Sequence, residues 1–141
     1  MCLRVRLLRA GARIPLRATP HSTGLDLFAC LETPVRLGPH PQLVPTGIAI
    51  ECPAGYDAQV RPRSGLSARG IGVAFGTIDA DYRGEVLVTM WTFGETVEYE
   101  ISDGDRIAQL VVATVALPEV EVVDALSDTQ RGGGGHGSTG R

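Results

Sequence analysis

Short runs in which apolar and polar residues alternate dominate the chain, and they predict β-strands. Residues 3–7, Tyr56–Arg61 and 97–101 alternate position by position, which is typical of a strand with one buried face. Two further runs, residues 47–51 and 85–91, are rich in β-branched and aliphatic side chains. Such side chains fit a pleated surface, so these runs also favour strands.

The longest run covers residues 106–117, and Pro118 separates it from a shorter predicted strand at 120–123. Turn residues divide the runs at intervals of about 8–12 residues, the spacing of an all-β sandwich or barrel. Only residues 65–69 favour a helical turn. A chain of 141 residues has the size of one domain, so we predict a single all-β domain.

Composition excludes several classes of protein. A hydrophobic content of 43% with 21% charged residues is typical of a globular chain and argues against disorder. No apolar stretch reaches the roughly 20 residues of a membrane span, and Arg4 and Arg6 interrupt the first apolar run. We therefore predict no membrane partner, no signal peptide and a cytoplasmic location.

Net charge and the choice of basic residue narrow the chemistry further. A net charge of −3 argues against a nucleic-acid partner, because nucleic-acid binders usually carry an excess of positive charge. All 13 basic residues are arginines. Without lysine, a Walker-type phosphate loop and a Schiff-base lysine are both excluded.

Charge is distributed unevenly along the chain. Residues 1–25 contain five arginines and no acid, whereas residues 95–128 contain nine acids and one arginine. The simpler interpretation is a set of solvated strand faces. The other is electrostatic pairing between the start of one chain and the later strands of another.

The three cysteines, Cys2, Cys30 and Cys52, are widely spaced and odd in number, so we predict buried free thiols and no disulfide. A zinc site needs close pairs of cysteine and histidine, and the sequence contains none. We therefore discard a metal site built from side-chain nitrogen or sulfur. His21 and His40 lie in proline-rich turns and are predicted at the surface.

Five segments are denser in functional residue types than a β-barrel requires. In the first, residues 22–27, Asp26 interrupts an apolar stretch, where it either caps a turn or serves a site. The second, residues 61–67, contains the Arg-Ser-Gly turn from Arg63 to Gly65. Its guanidinium and backbone N–H groups either cradle a phosphate or form an exposed basic turn.

The third segment, residues 76–85, resembles a hairpin that holds Asp79, Asp81 and Tyr82 between glycines, although a charged hairpin tip is the simpler interpretation. The fourth is a turn that enters the last long strand, where Gln109 lies among apolar neighbours. A buried glutamine requires hydrogen-bond partners, so Gln109 either supports the structure or contacts a ligand.

The fifth segment is the glycine-rich end of the chain, residues 131–141, which has no side chains able to build a core. It is either a frayed terminus or an arm that orders on a phosphate-bearing ligand. Glycine backbone approaches anions closely, and Arg131, Ser138 and Thr139 add hydrogen-bond donors.

In their order and spacing these five segments resemble the trimeric deoxyuridine triphosphatase (dUTPase) family over residues 22–140. The resemblance implies a distorted jelly-roll β-barrel that assembles as a homotrimer with active sites at the subunit interfaces. Residues 1–126 would form the barrel. Residues 127–141 would form a flexible arm that closes the active site of a neighbouring subunit.

The resemblance also implies a reaction, the hydrolysis of dUTP to dUMP and pyrophosphate. Water would attack the α-phosphate in line, with Mg²⁺ as the cofactor bound to the triphosphate. Asp79 would be the catalytic carboxylate that orients and deprotonates this water. Tyr82 would lie beneath the deoxyribose and exclude a 2′-hydroxyl, and Asp26 would support the water shell of the metal indirectly, through water.

The remaining positions carried over from the family bind substrate. Gly76, Thr77 and Ile78 would read the uracil edge through their backbone. Gln109 would bind phosphate and ordered water. The phosphate and arm positions are Arg63, Ser64, Gly65, Arg131, His136, Gly137 and Ser138.

Two features depart from the family pattern. His136 stands where family arms usually carry an aromatic residue, most often Phe, although a neutral imidazole can still stack on uracil. The segment between Ser67 and Gly76 is short and lacks the asparagine that some members place near the base. Main chain and water would take over recognition there.

Two alternatives remain at this point. A dCTP deaminase shares the fold, but such enzymes carry a catalytic glutamate where Thr89 stands and lack a glycine-rich arm. A non-catalytic jelly-roll binding module would be free to lose Asp79, Tyr82 or the arm, and this chain has all three.

Overall fold

The computed structural model describes residues 1–135, and within them it contains ten β-strands and one short helix. In chain order the elements are β1 (Arg4–Leu7), β2 (Leu25–Phe28), β3 (Val35–Leu37), β4 (Gln42–Glu51), β5 (Tyr56–Arg61), α1 (Ser64–Ser67), β6 (Ile71–Val73), β7 (Gly76–Ile78), β8 (Glu85–Thr92), β9 (Tyr99–Ile101) and β10 (Arg106–Thr114). The all-β prediction is confirmed. No helix among these residues is long and apolar enough to cross a membrane.

The strands form two antiparallel four-stranded sheets and a small two-stranded one. The strand order is β1-β4-β8-β6 in the first sheet and β2-β10-β5-β7 in the second, and β3 pairs with β9. Buried side chains from both large sheets join in one core cluster, with Leu27 and Leu110 from one sheet and Val44, Val88 and Met90 from the other. Sequence neighbours are mostly not sheet neighbours, as expected for a jelly roll.

All three alternating runs contain a strand, but the run predicted at 97–101 forms only the three-residue β9, Tyr99–Ile101. β5 covers Tyr56–Arg61 as predicted, with Ala58 and Val60 buried. β4 is longer than predicted because it starts at Gln42, five residues before the predicted strand at 47–51. The three-residue strands β3 and β6 are too short to show alternation.

The predicted strand at residues 120–123 is wrong, and the predicted strand at 106–117 ends early, at Thr114. Val120 and Val122 are 92% and 95% exposed. Within residues 1–135 no strand edge pairs with this segment. Among the described residues its backbone therefore joins no strand ladder, and Val120 and Val122 stay almost fully exposed.

Several N-terminal arginines form ion pairs within the chain. Arg4 and Arg9 pair with Glu51 and Glu85 at 3.3 and 2.7 Å. Arg13 lies 3.8 Å from Asp103, a member of the acidic stretch 95–128.

The cysteines and the two turn histidines largely follow the prediction. All three cysteines are free, and Cys30 and Cys52 are buried. Cys2 is exposed, so its predicted burial is wrong, because it precedes the first strand. His21 and His40 are exposed as predicted.

A large bulge interrupts the pairing of β4 with β8. Pro45 pairs with Leu87 and Ala49 pairs with Glu85, so that three residues of β4 oppose one residue of β8. Gly47, at the centre of the bulge, has a φ of +71°. This left-handed conformation favours glycine because it has no Cβ.

We expect Gly47→Ala to lower the free energy of unfolding by about 2–4 kcal/mol, from left-handed strain and overpacking together. The new Cβ would lie 2.8 Å from Ala12 Cβ and 2.9 Å from Cys30 Sγ. Urea unfolding at one fixed protein concentration measures the loss. Gly55→Ala is the control, because Gly55 has a φ of +82° with nothing within 4 Å of a new Cβ. Equal losses in both variants would show that crowding at Gly47 contributes nothing.

Candidate active site

The hairpin between β7 and β8 borders a cleft of about 230 Å³. The residues of β7 and the hairpin that line it are Gly76, Thr77, Ile78, Asp79, Tyr82 and Glu85. Asp79 is exposed and Tyr82 is 45% exposed, so both side chains are accessible from solvent. The sequence assigns five residues to the uracil base, the deoxyribose and the attacking water. The structure brings all five together in this cleft: Gly76, Thr77, Ile78, Asp79 and Tyr82.

β7 is an edge strand of its sheet. It pairs with β5 on one side only, through Gly76, Thr77 and Ile78. An edge strand presents unpaired N–H and C=O groups along its free side. The backbone facing the cleft can therefore form hydrogen bonds with a planar ligand.

The hairpin is closed by its own hydrogen bonds. The Tyr82 N–H donates to the Asp79 carbonyl at 3.0 Å, and the Tyr82 hydroxyl donates to the Glu85 carbonyl at 3.1 Å. A Cβ on Gly84 would lie 2.3 Å from the Tyr82 hydroxyl oxygen. Glycine at this position is what lets the tyrosine ring fold back along the hairpin.

A second cleft, of about 390 Å³, surrounds the Arg-Ser-Gly turn. Its charged lining consists of Arg63, Arg69, Arg106 and one carboxylate, that of Asp105. An excess of guanidinium groups in a concave site attracts anions. Gly65 also lines this cleft and adds no side chain to block an approaching ligand.

Asp26 orients two of the three arginines of this second cleft, Arg63 and Arg106. Its carboxylate, only 14% exposed, lies 3.1 Å from Arg63 Nε and 3.5 Å from Arg106 Nη1. Arg63 Nη1 also donates to the Arg106 carbonyl at 3.0 Å. The two guanidinium groups are thus fixed by one nearly buried acid.

Gln109 supports the same turn from β10. It is half-buried, and its Nε2 donates to the Pro62 carbonyl at 2.9 Å, just before Arg63. A Cβ on Gly24 would lie 2.2 Å from Gln109 Oε1, so this approach requires glycine. Of the two alternatives open for Gln109, a structural contact is present.

The two clefts share no lining residue. Ile78, just before Asp79, pairs with Ala58, the third residue of β5, whereas Arg63 lies two residues beyond the end of that strand. The five steps from Ala58 to Arg63 span at most about 16 Å at a strand rise of about 3.3 Å per residue. Asp79 and Arg63 of one chain therefore serve different clefts.

Glu85, at the start of β8, borders the hairpin cleft, and its carboxyl has a lowered pKa. Hydrogen bonds from Arg9 lower the pKa of its carboxyl, with a further contribution from the Gly47 N–H, while burial opposes them. Because the pKa is lower in the folded state, this contact stabilises the fold fully above about pH 4.3, the ordinary glutamate value. The stabilisation is lost as the pH falls through the folded-state pKa.

Comparison with known proteins identifies the family. A family model described as dUTPase matches residues 10–140. A deoxyuridine 5′-triphosphate nucleotidohydrolase from Anaplasma marginale is 49% identical, covering 98% of this chain and 99% of that protein. The chain belongs to the dUTPase family.

Solved structures of phage dUTPases also match the fold of this chain. A Staphylococcus bacteriophage 80alpha dUTPase with dUpNHpp matches with a TM-score of 0.89 at 28% identity, covering 99% of both chains. A dUTPase from phage phi11 of S. aureus, described with a structural Mg(II) ion, matches with a TM-score of 0.80 at 27% identity over 89% of this chain and 98% of that one. The predicted jelly-roll fold and the predicted enzyme class, a dUTP nucleotidohydrolase, are confirmed.

Three assigned positions of this dUTPase family member, His136, Gly137 and Ser138, lie outside the described residues. Ser64 opens α1 and is exposed without lining either cleft. Arg131 also lines neither cleft, and its Nε donates to the Gly134 carbonyl at 2.7 Å. Within one chain, therefore, the described part of the arm does not reach the hairpin cleft.

Sequence reasoning missed two residues that shape the clefts of this dUTPase. Arg106, the second partner of Asp26, directly follows the turn that the sequence singled out before Gln109. Glu85 belongs to the hairpin segment but received no role. Its signal was an acid at the first position of an apolar strand, where a buried face requires a partner.

Proposed function

We propose that the protein hydrolyses dUTP to dUMP and pyrophosphate by in-line attack of water on the α-phosphate. The carrying observation is the hairpin cleft, where exposed Asp79 and Tyr82 lie beside the free edge of β7. The oxygen of water becomes bonded to the α-phosphorus, and the bond to the bridging oxygen of the pyrophosphate breaks. Asp79 takes the proton that the water loses.

The choice of Asp79 as the base follows from its position. It is the one acid at the junction of the β7 edge and the hairpin turn, and its exposure leaves the carboxylate free to hold a water. Among the described residues no ion pair engages it. A base in this position orients water and removes its proton as the new bond forms.

Base selection is assigned to the backbone of Gly76, Thr77 and Ile78. Uracil offers an N–H donor between two carbonyl acceptors, a pattern that a strand edge can complement. Cytosine replaces the donor at N3 with an acceptor and one carbonyl with an amino group. Mismatched groups would then be buried without partners, which is costly.

Tyr82 is assigned to the sugar, and its replacement gives a direct test. We expect Tyr82→Ala to raise the use of UTP relative to dUTP by about tenfold, because removing the ring opens space for a 2′-hydroxyl. The ratio of kcat/KM for the two nucleotides measures this change. Tyr56→Ala, on β5, is the control, because Tyr56 lies outside the hairpin cleft. An unchanged ratio in Tyr82→Ala would refute the steric role.

The phosphates are assigned to Arg63 and the Gly65 backbone, which line the second cleft, and to the Ser64 hydroxyl and Gln109, which flank the same turn. Mg²⁺ would arrive on the triphosphate, because residues 1–135 contain no cluster of three or more acidic, histidine or cysteine side chains that could hold it. The Asp26 carboxylate already contacts two guanidinium groups, so it suits a water-mediated contact better than direct ligation. When bound, Mg²⁺ would supply positive charge to the leaving pyrophosphate.

We propose further that the active form is a homotrimer with each site shared between subunits. The separation of the hairpin cleft from the arginine cleft supports this, because one nucleotide has to meet both sets of residues. Exposed apolar side chains after β10 also support it, since Leu117 and Leu126 are 84% and 86% exposed and suit a neighbouring subunit. Residues 127–141, with Arg131, His136, Gly137 and Ser138, would close a neighbour's site.

Pyrophosphate release from dUTP, dCTP, dTTP and UTP, each with Mg²⁺, tests the reaction. We expect strong preference for dUTP. Light scattering on the same sample is expected to give three times the chain mass. Intact dUTP would overturn the proposed reaction, and ammonia release from dCTP would indicate the deaminase alternative.

A further inference from the structure

The bulge in β4 leaves backbone groups that the β4–β8 ladder does not pair, and two side chains satisfy them. The Gly47 N–H donates to Glu85 Oε1 at 2.7 Å. The Thr46 hydroxyl donates to the Val86 carbonyl at 2.6 Å. The first two residues of β8 are therefore held to β4 by side chains at the point where the regular pairing is interrupted.

Arg9 completes this arrangement from the N-terminal segment. Its Nη2 lies 2.7 Å from Glu85 Oε1 and its Nη1 lies 3.1 Å from Glu85 Oε2, a two-pronged contact. Leu8, the preceding residue, donates its N–H to the Gly47 carbonyl at 2.8 Å. The Glu85 side chain is 23% exposed, so water competes little for the carboxylate. We call Glu85, Gly47 and Arg9 the bulge clasp.

The bulge clasp lies directly behind the hairpin. Glu85 is the first residue after the hairpin turn, and its carbonyl accepts the Tyr82 hydroxyl. The Tyr82 N–H in turn donates a hydrogen bond to the Asp79 carbonyl. At the other end, the hairpin is anchored by Ile78, which is buried and paired with Ala58.

Apart from the bulge clasp, the hairpin turn is held by Arg83, whose Nη1 donates to the Ala80 and Tyr82 carbonyls and whose guanidinium lies 3.8 Å from Glu51, and by Ala80, which packs against the core. Asp79, Asp81, Tyr82 and Arg83 are all exposed, so their burial contributes little to fixing the turn. A shift of about 1 Å in a reacting group can reduce a rate by about 100-fold. The position of Glu85, where the chain re-enters the sheet as β8, therefore affects the placement of Asp79 and the reaction rate.

We propose that Glu85 is a positioning residue, whose carboxylate fixes the start of β8 and through it the placement of Asp79 and Tyr82. This inference rests on the proposed function of those two residues. Glu85 acts through its own main chain and through the Tyr82 hydroxyl, and it does not contact substrate. Both turnover and discrimination against UTP depend on Glu85, because it positions the general base, Asp79, and the sugar contact, Tyr82, together.

The test compares Glu85→Ala, Glu85→Gln and a matched control, Glu98→Ala. Glu98 also pairs with an arginine, Arg36 at 3.5 Å, but lines neither cleft of the candidate site. We expect Glu85→Ala to lower kcat for dUTP by about 10- to 100-fold and the preference for dUTP over UTP by about fivefold. Glu85→Gln keeps an acceptor for the Gly47 N–H and is expected to restore most of both values. Glu98→Ala is expected to change neither.

Hydrogen exchange separates this inference from the proposed reaction. Amides of residues 79–84 are expected to exchange at least about tenfold faster in Glu85→Ala than in Glu98→Ala or the unsubstituted protein. If the unsubstituted protein leaves dUTP intact, the proposed function fails, and the exchange result alone decides the positioning role. Unchanged exchange, or a loss of melting temperature with kcat and selectivity unchanged, would overturn it.

If Glu85→Ala does not fold, the variant Arg9→Ala tests the positioning role of Glu85 instead. Arg9 is 41% exposed, so its loss leaves no buried cavity. It removes the guanidinium that fixes the carboxylate. Faster exchange of residues 79–84 with reduced selectivity supports the proposal, and unchanged exchange in Arg9→Ala contradicts it.

Discussion

Asp79→Asn is expected to lower kcat for dUTP by about 10²–10⁴-fold, the usual contribution of general base catalysis. An amide cannot accept the proton of the attacking water, whereas its size and hydrogen-bonding oxygen match those of the carboxylate. The non-hydrolysable analogue dUpNHpp is therefore expected to bind with an affinity within a few-fold of the unsubstituted protein. Steady-state kinetics and calorimetry with the analogue measure the two effects.

Asp81→Asn is the matched control for this experiment. Asp81 belongs to the same exposed hairpin but does not line the cleft that contains Asp79 and Tyr82. Its substitution changes the charge of the hairpin by the same amount and is expected to leave kcat nearly unchanged. Unaltered turnover in Asp79→Asn would remove Asp79 from the mechanism.

Deletion of residues 129–141 is expected to lower kcat/KM for dUTP by about 10²–10³-fold, the cost of losing preorganised charge stabilisation. The deletion removes Arg131 and the proposed closure of the site. The described part of this segment, residues 129–135, contains no buried side chain, so the barrel loses no core. Kinetics and thermal unfolding of the same preparation measure activity and stability separately.

Arg141→Gln is the control for lost charge, because it removes an arginine of the same tail to which no role is assigned. It is expected to retain activity. A large drop in melting temperature on deletion would contradict the view that the arm is dispensable for folding. Full activity after deletion would overturn the proposed closure.

The two inactive variants also test the shared site when they are expressed together. A site that takes its hairpin from a truncated chain and its arm from an Asp79→Asn chain has every group it needs. Random mixing of equal amounts makes about one quarter of the sites complete, if hairpin and arm come from different subunits. If each site lies within one chain, mixing restores nothing.

Much of the fold can be predicted from the sequence because a strand with one buried face alternates apolar and polar residues, a pattern that is visible locally. Tyr56–Arg61 alternates and became β5 with those bounds. The front half of β4 escaped prediction because Pro45 disfavours a strand, and only the tertiary bulge accommodates it. Residues 120–123 have a strand pattern without a strand, because within residues 1–135 no strand pairs with them.

The site was readable in its residue types but not in its geometry. Motif spacing brought Asp79 and Tyr82 into one segment, and the fold places them in one cleft. The contacts of Asp26 with Arg63 and Arg106 join three distant segments, so no local pattern encodes them. The role of Glu85 depends on a bulge 38 residues away in sequence.

The carboxylate of Asp26 reduces the conformational entropy that Arg63 would lose on binding an anion. A free arginine side chain samples many rotamers, and holding it still costs up to about 2 kcal/mol of conformational entropy. Arg63 is already held by Asp26 and by the Arg106 carbonyl. That entropy is lost when the chain folds, so a phosphate bound at Arg63, as proposed, would meet a guanidinium that is already immobilised.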